Sequence, residues 1–490
     1  MKKIIIALFV IIFCTNLYAQ QTITEELTFA EVIELAKQQS PNAIMAKHQF
    51  RANYWSYVTY KSELLPQVKL STVFPSLDRS FKEFTDSTGA RYIRYNQNTS
   101  SVDVNVTQNV PFTGGQLSVN TSLLRLDNLG SKSHSYSSTP VLIRYNQPML
   151  FFNEYKWKHK IEPLKYEEAK KKYILAMEEV SLKAVGYFFD LALAQQNLQV
   201  SQLNYSNADT LYKIATGRYK IGTIAENELM QMELSFLNAG SSLNSAKLDL
   251  EVKKFQLRSF LGFNEKIDLH LIIPKEIPQI TVDVNEALDL AMQNNPSMLS
   301  FDRQLIETER DLARARSQRR LQASIDASVG YTQQARDIHD VYLNPQERQT
   351  IRLALEIPLL DWKRGKGRYK MAESNRELAL VNVKQGKVDF QQNVYLNVMQ
   401  FNLQDDQLMI AAKSDTIAQK RYDITKQRFL IGKVDVLDLN VALKEKDESK
   451  NAYISALRQY WTNYYALRKI TLFDFVENKE LTADFDNLIK

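Results

Sequence analysis

The sequence predicts a mainly α-helical chain with a smaller β portion, in which a long helical hairpin occurs twice. Three observations carry this prediction. Glycine and proline are scarce, 14 and 12 in 490 residues, and bunched: residues 164–261 and 359–490 contain no proline. Such stretches suit very long helices rather than strings of short elements and turns. Two halves of the chain also repeat one another. Between the helical stretches, finally, the hydrophobic period changes from 3.6 residues to 2.

Residues 1–19 have the three parts of an export signal: Lys2 and Lys3, the apolar run Ile4 to Phe13, and Leu17-Tyr18-Ala19 as the cleavage site. The only cysteine, Cys14, lies in this leader. Phe13 before it is too bulky for the usual lipid-attachment site, so the expected mature chain starts after Ala19 and is cysteine-free. Charged residues at 24% and hydrophobics at 44% rule out a disordered chain. Past the leader no run reaches the length of a membrane-spanning helix. A net charge of +6, or +4 without Lys2 and Lys3, is too small to suggest nucleic acid.

The repeat has two blocks. Leu27–Pro41 (LTFAEVIELAKQQSP) aligns with Val282–Pro296 (VDVNEALDLAMQNNP) at an offset of 255. Arg218–Gly222 (RYKIG) pairs with Arg428–Gly432 (RFLIG), and Phe255–Phe263 with Tyr465–Phe473, at an offset of 210. The difference places one insertion of 45 residues between positions 70 and 147.

Helix ends follow from their caps. Thr28 with Glu31, and Asp283 with Glu286, read as capping boxes opening short amphipathic helices. Ser40-Pro41 and Asn295-Pro296 open helices of about 25 residues, with proline at the first helical position. Long helical stretches are expected over 153–220 and 363–430, with Pro163 either starting or kinking the first. Returns of about 37 residues follow Gly222 and Gly432. At 1.5 Å per residue, each long helix spans roughly 100 Å, about as far as a short helix stacked on a return. A solitary pair this long has no substantial core, so its faces are expected to pack against copies of the chain.

Val102, Val104 and Val106 alternate with Asp103, Asn105 and Thr107, and Leu117, Val119 and Thr121 with Ser118, Asn120 and Ser122. In the second half, Ala323–Val329 and Ile351–Ile357 alternate likewise. Segments of about ten residues, apolar on one face and polar on the other, are the signature of transmembrane β-strands. A soluble two-layer sheet alternates in the same way. Strands are expected at 67–75, 101–110, 116–125 and 139–148, with a tight turn at Pro111–Gly115, two more in the second half, and loops at Ser76–Ser100 and Leu126–Thr139. The first half then has four strands and the second two. Either each chain gives six strands to a wider barrel, or an extra hairpin lies outside it.

Trp362, Lys363, Arg364, Lys366 and Arg368 follow the last strand, and Tyr155, Lys156, Trp157 and Lys158 the corresponding earlier one; Arg314, Arg316, Arg319 and Arg320 precede Leu321. Aromatic and basic side chains together suit a membrane–water boundary, with Trp157, Trp362, Lys363 and Arg364 as its anchors. A solvated helix end accounts equally well for the arginines.

Together the duplication, the paired strands and the glycine turns resemble the TolC-like outer-membrane efflux family, over essentially the whole mature chain. The segments LTFAEVIELAKQQSPN, YNQPMLFFNEYKWKHKIEPLKYEEAKKKY, RYKIGTIAENEL and RFLIGKVDVLDL carry the resemblance. It implies a homotrimer: duplicated hairpins forming a trimeric α-barrel in the periplasm, and a transmembrane β-barrel shared by three chains in outer-membrane lipid. It also implies a passive exit duct for a tripartite efflux or type I secretion system, docked to a periplasmic adaptor and an inner-membrane pump. The resulting organisation is a leader (1–19), an equatorial segment and first helix (20–65), a first β region with an extra hairpin (66–152) and a first α-hairpin (153–263). A second equatorial segment and helix (264–320), β region (321–361) and α-hairpin (362–475) follow, then a tail (476–490).

The resemblance puts Gly222 and Gly432 at the periplasmic tip, where the tunnel narrows and meets the adaptor, with the aromatics Tyr219 and Phe429 three residues earlier. Glu228 and Asp438 match acidic tip positions. The family's closing bridge is not reproduced: Phe429 lacks the hydroxyl, Val434 stands where an arginine would be, and Val441 replaces a further acid. Three copies of Glu228 or Asp438, with Asp435 one turn earlier, would form an acidic ring favouring cations. The same carboxylates also suit the first turn of a helix, where the macrodipole favours negative charge.

No enzyme is expected. His48, His134, His159, His270 and His339 are scattered without metal-ligand spacing, and there is no nucleophile elbow, P-loop or dinucleotide fingerprint. No catalytic residue, cofactor or metal is assigned. A different class remains open, a soluble periplasmic coiled-coil scaffold.

Overall fold

A computed structural model describes residues 24–87, 89–263, 268–274, 277–319, 321–431 and 433–490. The expected leader with Cys14, and also Arg320 and Gly432, lie outside the described residues. In chain order the elements are β1 (Thr24–Thr28), α1 (Phe29–Gln39), α2 (Pro41–Ser62), β2 (Gln67–Asp86), β3 (Gly89–Val110), β4 (Gly115–Asn128) and β5 (Ser133–Gln147). Next come α3 (Glu154–Lys220), α4 (Glu226–Leu261), β6 (Asp268–Ile272), α5 (Val284–Asn294), α6 (Pro296–Arg319), β7 (Gln322–Ala335) and β8 (Gln346–Glu356). The chain ends with α7 (Arg364–Asn402), α8 (Gln404–Leu430), α9 (Val436–Thr471), the short strands β9 (Phe473–Asp474) and β10 (Lys479–Glu480), and α10 (Phe485–Ile489). Contacts divide it into a helical unit, up to Phe50 with Lys170–Pro296 and Val388–Lys490, and a sheet unit, Arg51–Ala169 with Ser297–Lys387.

In the helical unit the caps form as their residues dictate. Thr28 Oγ1 accepts from the Glu31 amide at 3.4 Å while Glu31 Oε2 accepts from the Thr28 amide at 2.8 Å, closing the capping box. Asp283 Oδ1 accepts from the amides of Asn285 and Glu286, both at 2.9 Å, a one-sided cap rather than the reciprocal box expected with Glu286. Ser40 Oγ accepts from the Ala43 amide at 3.1 Å and starts α2. Asn295 lies between α5 and α6, and its side-chain amide donates to the Ile470 carbonyl at 2.9 Å. The two halves also meet in a pairing that the sequence pattern does not announce: β1 and β6 run parallel, Thr24 to Thr28 beside Asp268 to Ile272.

The core of this unit is aromatic. Phe29 packs on Phe188 (5.1 Å between centroids) and Trp461 (4.7 Å), and Phe401, Tyr460, Leu257 and Leu261 are fully buried with them. Beside the cluster, Arg468 joins Glu178 (3.0 Å) and Asp474 (2.5 Å), and Lys37 reaches Glu178 at 2.9 Å.

Two expectations about helices need correcting or refining. Pro163 lies inside α3 and does not interrupt it. The stretch 363–430 is not one helix; it divides at Leu403 into α7 and α8. The division coincides with a contact to a segment far away in sequence. Asn402 turns its side chain to the linker, donating to the Val282 carbonyl at 2.9 Å and accepting from its amide at 3.1 Å. At the break the ladder is stretched, with Leu403 N to Met399 O at 3.3 Å and Gln407 N to Leu403 O at 3.4 Å.

The sheet unit is built on one antiparallel sheet in the order β2-β3-β4-β5-β7-β8. The segment 76–100, expected as a loop, is instead the paired outer part of β2 and β3, in register from Ser76↔Thr99 to Asp86↔Gly89. The expected loop at 126–139 contracts to a short turn between Asn128 and Ser133. Both segments are polar, which reads as loop, but an antiparallel ladder needs only backbone groups and tolerates polar side chains on exposed faces. Gly330 pairs with Leu142 beside the irregularity between Ser138 and Val141, where a Cβ would collide with the Val141 carbonyl. Helix α2 packs on α3 through Tyr57 and Tyr166, stacked at 4.6 Å, and α6 through Arg303, which holds the buried Glu168 at 2.7 Å.

Candidate functional site

Two regions gather the residues singled out by sequence. In the helical unit, α3 ends at Tyr219-Lys220 and the chain reverses through Gly222, whose φ of +75° is left-handed and suits glycine. The Gly222 amide donates to Tyr219 O and the Thr223 amide to Arg218 O, both at 2.9 Å, satisfying the last carbonyls of α3. At the end of α8 the same closure recurs, Lys433 N to Arg428 O at 2.9 Å. Gly432, its expected glycine, is outside the described residues.

The two turns differ in how the return helix starts. Asp435 caps α9, accepting from the Asp438 amide at 2.8 Å. Its counterpart before α4 is Ala225, which has no side-chain cap. Glu226 and Glu228 lie in the first turn of α4, and Asp438 in that of α9, where negative charge is favoured. Glu228 and Asp438 are both exposed.

The aromatics three residues before the glycines also part company. Phe429 is buried against Tyr422, Leu439 and Ala442, whereas Tyr219 is exposed. Arg218 lays its guanidinium over the Phe429 ring at 5.9 Å. A cavity of about 260 Å³ lies between the turns, bordered among others by Arg218, Glu228, Met232, Phe429, Val434 and Asp435. The structure thus brings Glu228, Phe429 and Asp435 together, and adds Arg218 and Met232, which sequence reasoning missed. The repeat itself held a signal for Arg218: it is paired with Arg428 in RYKIG and RFLIG. Behind the cavity, Asn204 donates to Asp447 at 2.7 Å, and Lys446 lies 3.2 Å from Asp447 and over the Tyr422 ring at 4.5 Å.

The second region is the sheet and its junctions. Direct cross-strand partners share a face, so the register sorts the side chains. Val68, Val106, Val119, Ile143 and Val329 lie in one row, and Leu70 with Val104 and Ala327 with Ile351 continue that face. Asp103, Asn105, Asn120, Ser122, Arg144 and Asp326 lie on the other. On the apolar face Val68, Leu70, Ile351, Leu353 and Leu355 are exposed, Ile351 to 84%. A contiguous apolar surface of this kind calls for an apolar environment.

At the junctions Trp362 is 85% exposed, and it and Lys363 have φ of 50° and 69°. Such values are uncommon outside glycine; here Asp361 fixes the bend, its carboxylate accepting from the amides of Lys363 (3.0 Å) and Gly365 (2.8 Å). Arg364, at the start of α7, is exposed. Trp157 is half-buried under Lys160, whose ammonium stands 5.3 Å from the ring. Among the described residues no helix is long and apolar enough to cross a membrane.

A family model described as outer membrane efflux protein matches residues 32–263 and 287–471. A search of curated proteins finds no match. Among solved structures, the Campylobacter jejuni CmeC outer membrane channel is 16% identical, with a TM-score of 0.67 over 94% of this chain and 88% of that one. CusC, described in terms of folding and transmembrane channel formation, is 13% identical, with a TM-score of 0.64 over 93% and 95%. The outer membrane protein VceC of Vibrio cholerae is 13% identical, with a TM-score of 0.62 over 90% and 95%. At these identities the likeness is one of fold.

Proposed function

The chain belongs to the outer membrane efflux protein family, and on that premise we propose that three copies form a passive exit duct spanning the outer membrane. The observation that carries this reading is the sheet, apolar on one face and polar on the other, whose edge residues Val68, Leu70, Ile351, Leu353 and Leu355 are left exposed by the described residues. Its apolar face meets lipid, and its polar face lines the duct. Trp157, Trp362, Lys363 and Arg364 then anchor the sheet at the membrane–water boundary. The helical stretches project into the periplasm and end at the two turns. There the exposed Tyr219 and the Gly222 turn form the contact with a periplasmic adaptor, which links the duct to an energised inner-membrane pump, while Phe429, buried against Tyr422, Leu439 and Ala442, supports the second turn from within.

Within the tip, the acidic residues take different roles. Asp435 serves as the cap of α9, and Asp438 and Glu228 supply exposed charge to the constriction. Three copies of Asp438 favour cations. In planar bilayers, Asp438→Asn should lower cation selectivity, while Asp435→Asn should act on the stability of the turn; unchanged reversal potentials in Asp438→Asn remove that residue from the pore. The reading as a whole is tested by fractionation. A trimer released from outer membranes only by detergent supports it. A soluble periplasmic monomer would replace it with the scaffold alternative.

A further inference from the structure

We propose that the inserted hairpin, β3 with β4, is part of the membrane wall, so that three copies close a ring of eighteen strands, six from each. This rests on the trimeric outer-membrane reading above and deepens it, because it sets the width of the exit.

The repeat identifies the insertion. The offset of 255 carries β2 onto β7, and the offset of 210 carries β5 onto β8. In the second half β7 and β8 pair directly; in the first, their counterparts β2 and β5 are held apart by β3 and β4. The added strands are therefore in the interior of the sheet, not appended to its edge. Each pairs along its length, β3 with β2 from Thr107 outward and with β4 from Val110↔Gly115 to Gln97↔Asn128.

Side-chain alternation runs between β3 and β4 without a shift of register, and on the junction side of the irregularities at Val73/Ser76 and Asn120/Ser122 it passes in phase to β2 and β5. Val102, Val104 and Val106 continue the apolar row of Thr72, Leu70 and Val68, and Val119 passes it on to Ile143. Asn105 and Asn120 face one another on the polar side. The turn between the strands is also fastened to the junction. Asn153 donates to the carbonyls of Pro111 (2.7 Å) and Phe112 (3.1 Å), and Gln147 to that of Thr113 (3.1 Å). Gln108 and Asn109 donate to the Leu64 and Glu63 carbonyls at the end of α2, at 3.0 and 2.8 Å. A hairpin lying off the wall has no reason for these attachments.

Closure follows from parity. With six strands in antiparallel succession, the edge strands β2 and β8 run in opposite directions, so β8 of one copy can pair antiparallel with β2 of the next. Both edges present apolar side chains on the same face, Val68 and Leu70 on one, Ile351, Leu353 and Leu355 on the other. Ring diameter grows roughly linearly with strand number, so this exit is about half as wide again as one built from four strands per copy, within the range of water-filled porins.

The test is a cryo-electron microscopy map of the full chain in lipid nanodiscs, joined to thiol labelling of single-cysteine variants. Eighteen wall strands are expected. Val104→Cys and Val119→Cys should react with the apolar pyrene maleimide and lose all reaction with a sulfonated stilbene maleimide. Asn105→Cys and Asn120→Cys should react with the sulfonated reagent. A trimer whose wall has four strands per copy, with Val104→Cys labelled by the charged reagent, overturns the inference but leaves the duct intact. Absence of a trimer overturns the premise and the inference with it.

Discussion

Arg468 shows how much a single side chain contributes to the helical unit. Its guanidinium meets Glu178 at 3.0 Å and Asp474 at 2.5 Å, in a setting where the two carboxylate side chains are only 3% and 5% exposed. Lys37 adds a second cation at Glu178, and the Tyr464 hydroxyl donates to Asp474 at 2.6 Å. Arg468→Ala leaves two buried carboxylates facing one cation, and should cost about 3–5 kcal/mol, read as a lowered denaturation midpoint. A loss within about 1 kcal/mol would show the network to be no better than surface pairs. The pH dependence has a definite sign. Burial alone would raise the Asp474 pKa, but the Tyr464 hydroxyl, the amides of Glu477 and Val476, and Arg468 together hold it below the usual aspartate value. Its stabilising contribution is thus present above the unfolded value of about 4 and lost as pH falls through the lower folded one. Asp474→Asn should flatten the acid limb of the midpoint-against-pH curve; an unchanged limb assigns that slope to other carboxylates. Residue-scale legibility was uneven. The caps at Thr28 and Asp283 could be read because their partners are two or three positions away, whereas Asp435, expected as a pore acid, is shown as a cap only by the structure. The partners of Arg468 could not: Glu178 is 290 positions distant.

Among the elements, α7 and α8 show where local pattern stops being informative. Residues 363–430 have no proline and glycines only near their start and at Gly386, so a single helix is the natural expectation. At the division the Asn402 side-chain amide clamps both backbone groups of Val282, 120 positions away, a partner that local pattern does not reveal. The linker strand β6 is held on α3 by the same device: Gln195 donates to Leu269 O and accepts from Leu271 N, both at 3.3 Å. Asn402→Ala leaves the Val282 groups without these partners and should cost about 1–3 kcal/mol. Hydrogen exchange gives the local test: the Val282 amide should lose protection while the core amides of α9 around Leu457 keep theirs. Equal loss at both would mean that the clamp acts on the whole unit. The outer halves of β2 and β3 failed to read as strands for the complementary reason. Arg79, Lys82 and Glu83 look like loop residues, and what makes them strand is the backbone register from Ser76↔Thr99 outward, which leaves no trace in polarity.

For the whole molecule, the duplication was the most legible feature, because unequal offsets in two aligned blocks locate the inserted residues without any knowledge of the fold. The structure turns that arithmetic into an expectation about the chain's two halves. If the first half is the second half with a hairpin added between β2 and β5, then removing Gly89–Asn128 should restore a β2–β5 pair like β7–β8. Strand parity is kept, the edges β2 and β8 are unchanged, and the side-chain phase on both faces is preserved. The deletion does remove the bonds from Gln108 and Asn109 to the end of α2, and those from Asn153 to Pro111 and Phe112. At about 1 kcal/mol each, these are losses at the junction rather than in the helical core. The shortened chain should therefore still reach the outer membrane and be extracted by detergent as the same oligomer, with a lower denaturation midpoint. Size-exclusion chromatography with light scattering, together with heat-dependent migration in detergent gels, reads this directly. A deletion variant that yields only aggregates or monomers would mean that the added strands are indispensable to closure, and that the two halves have diverged beyond exchange of their hairpins.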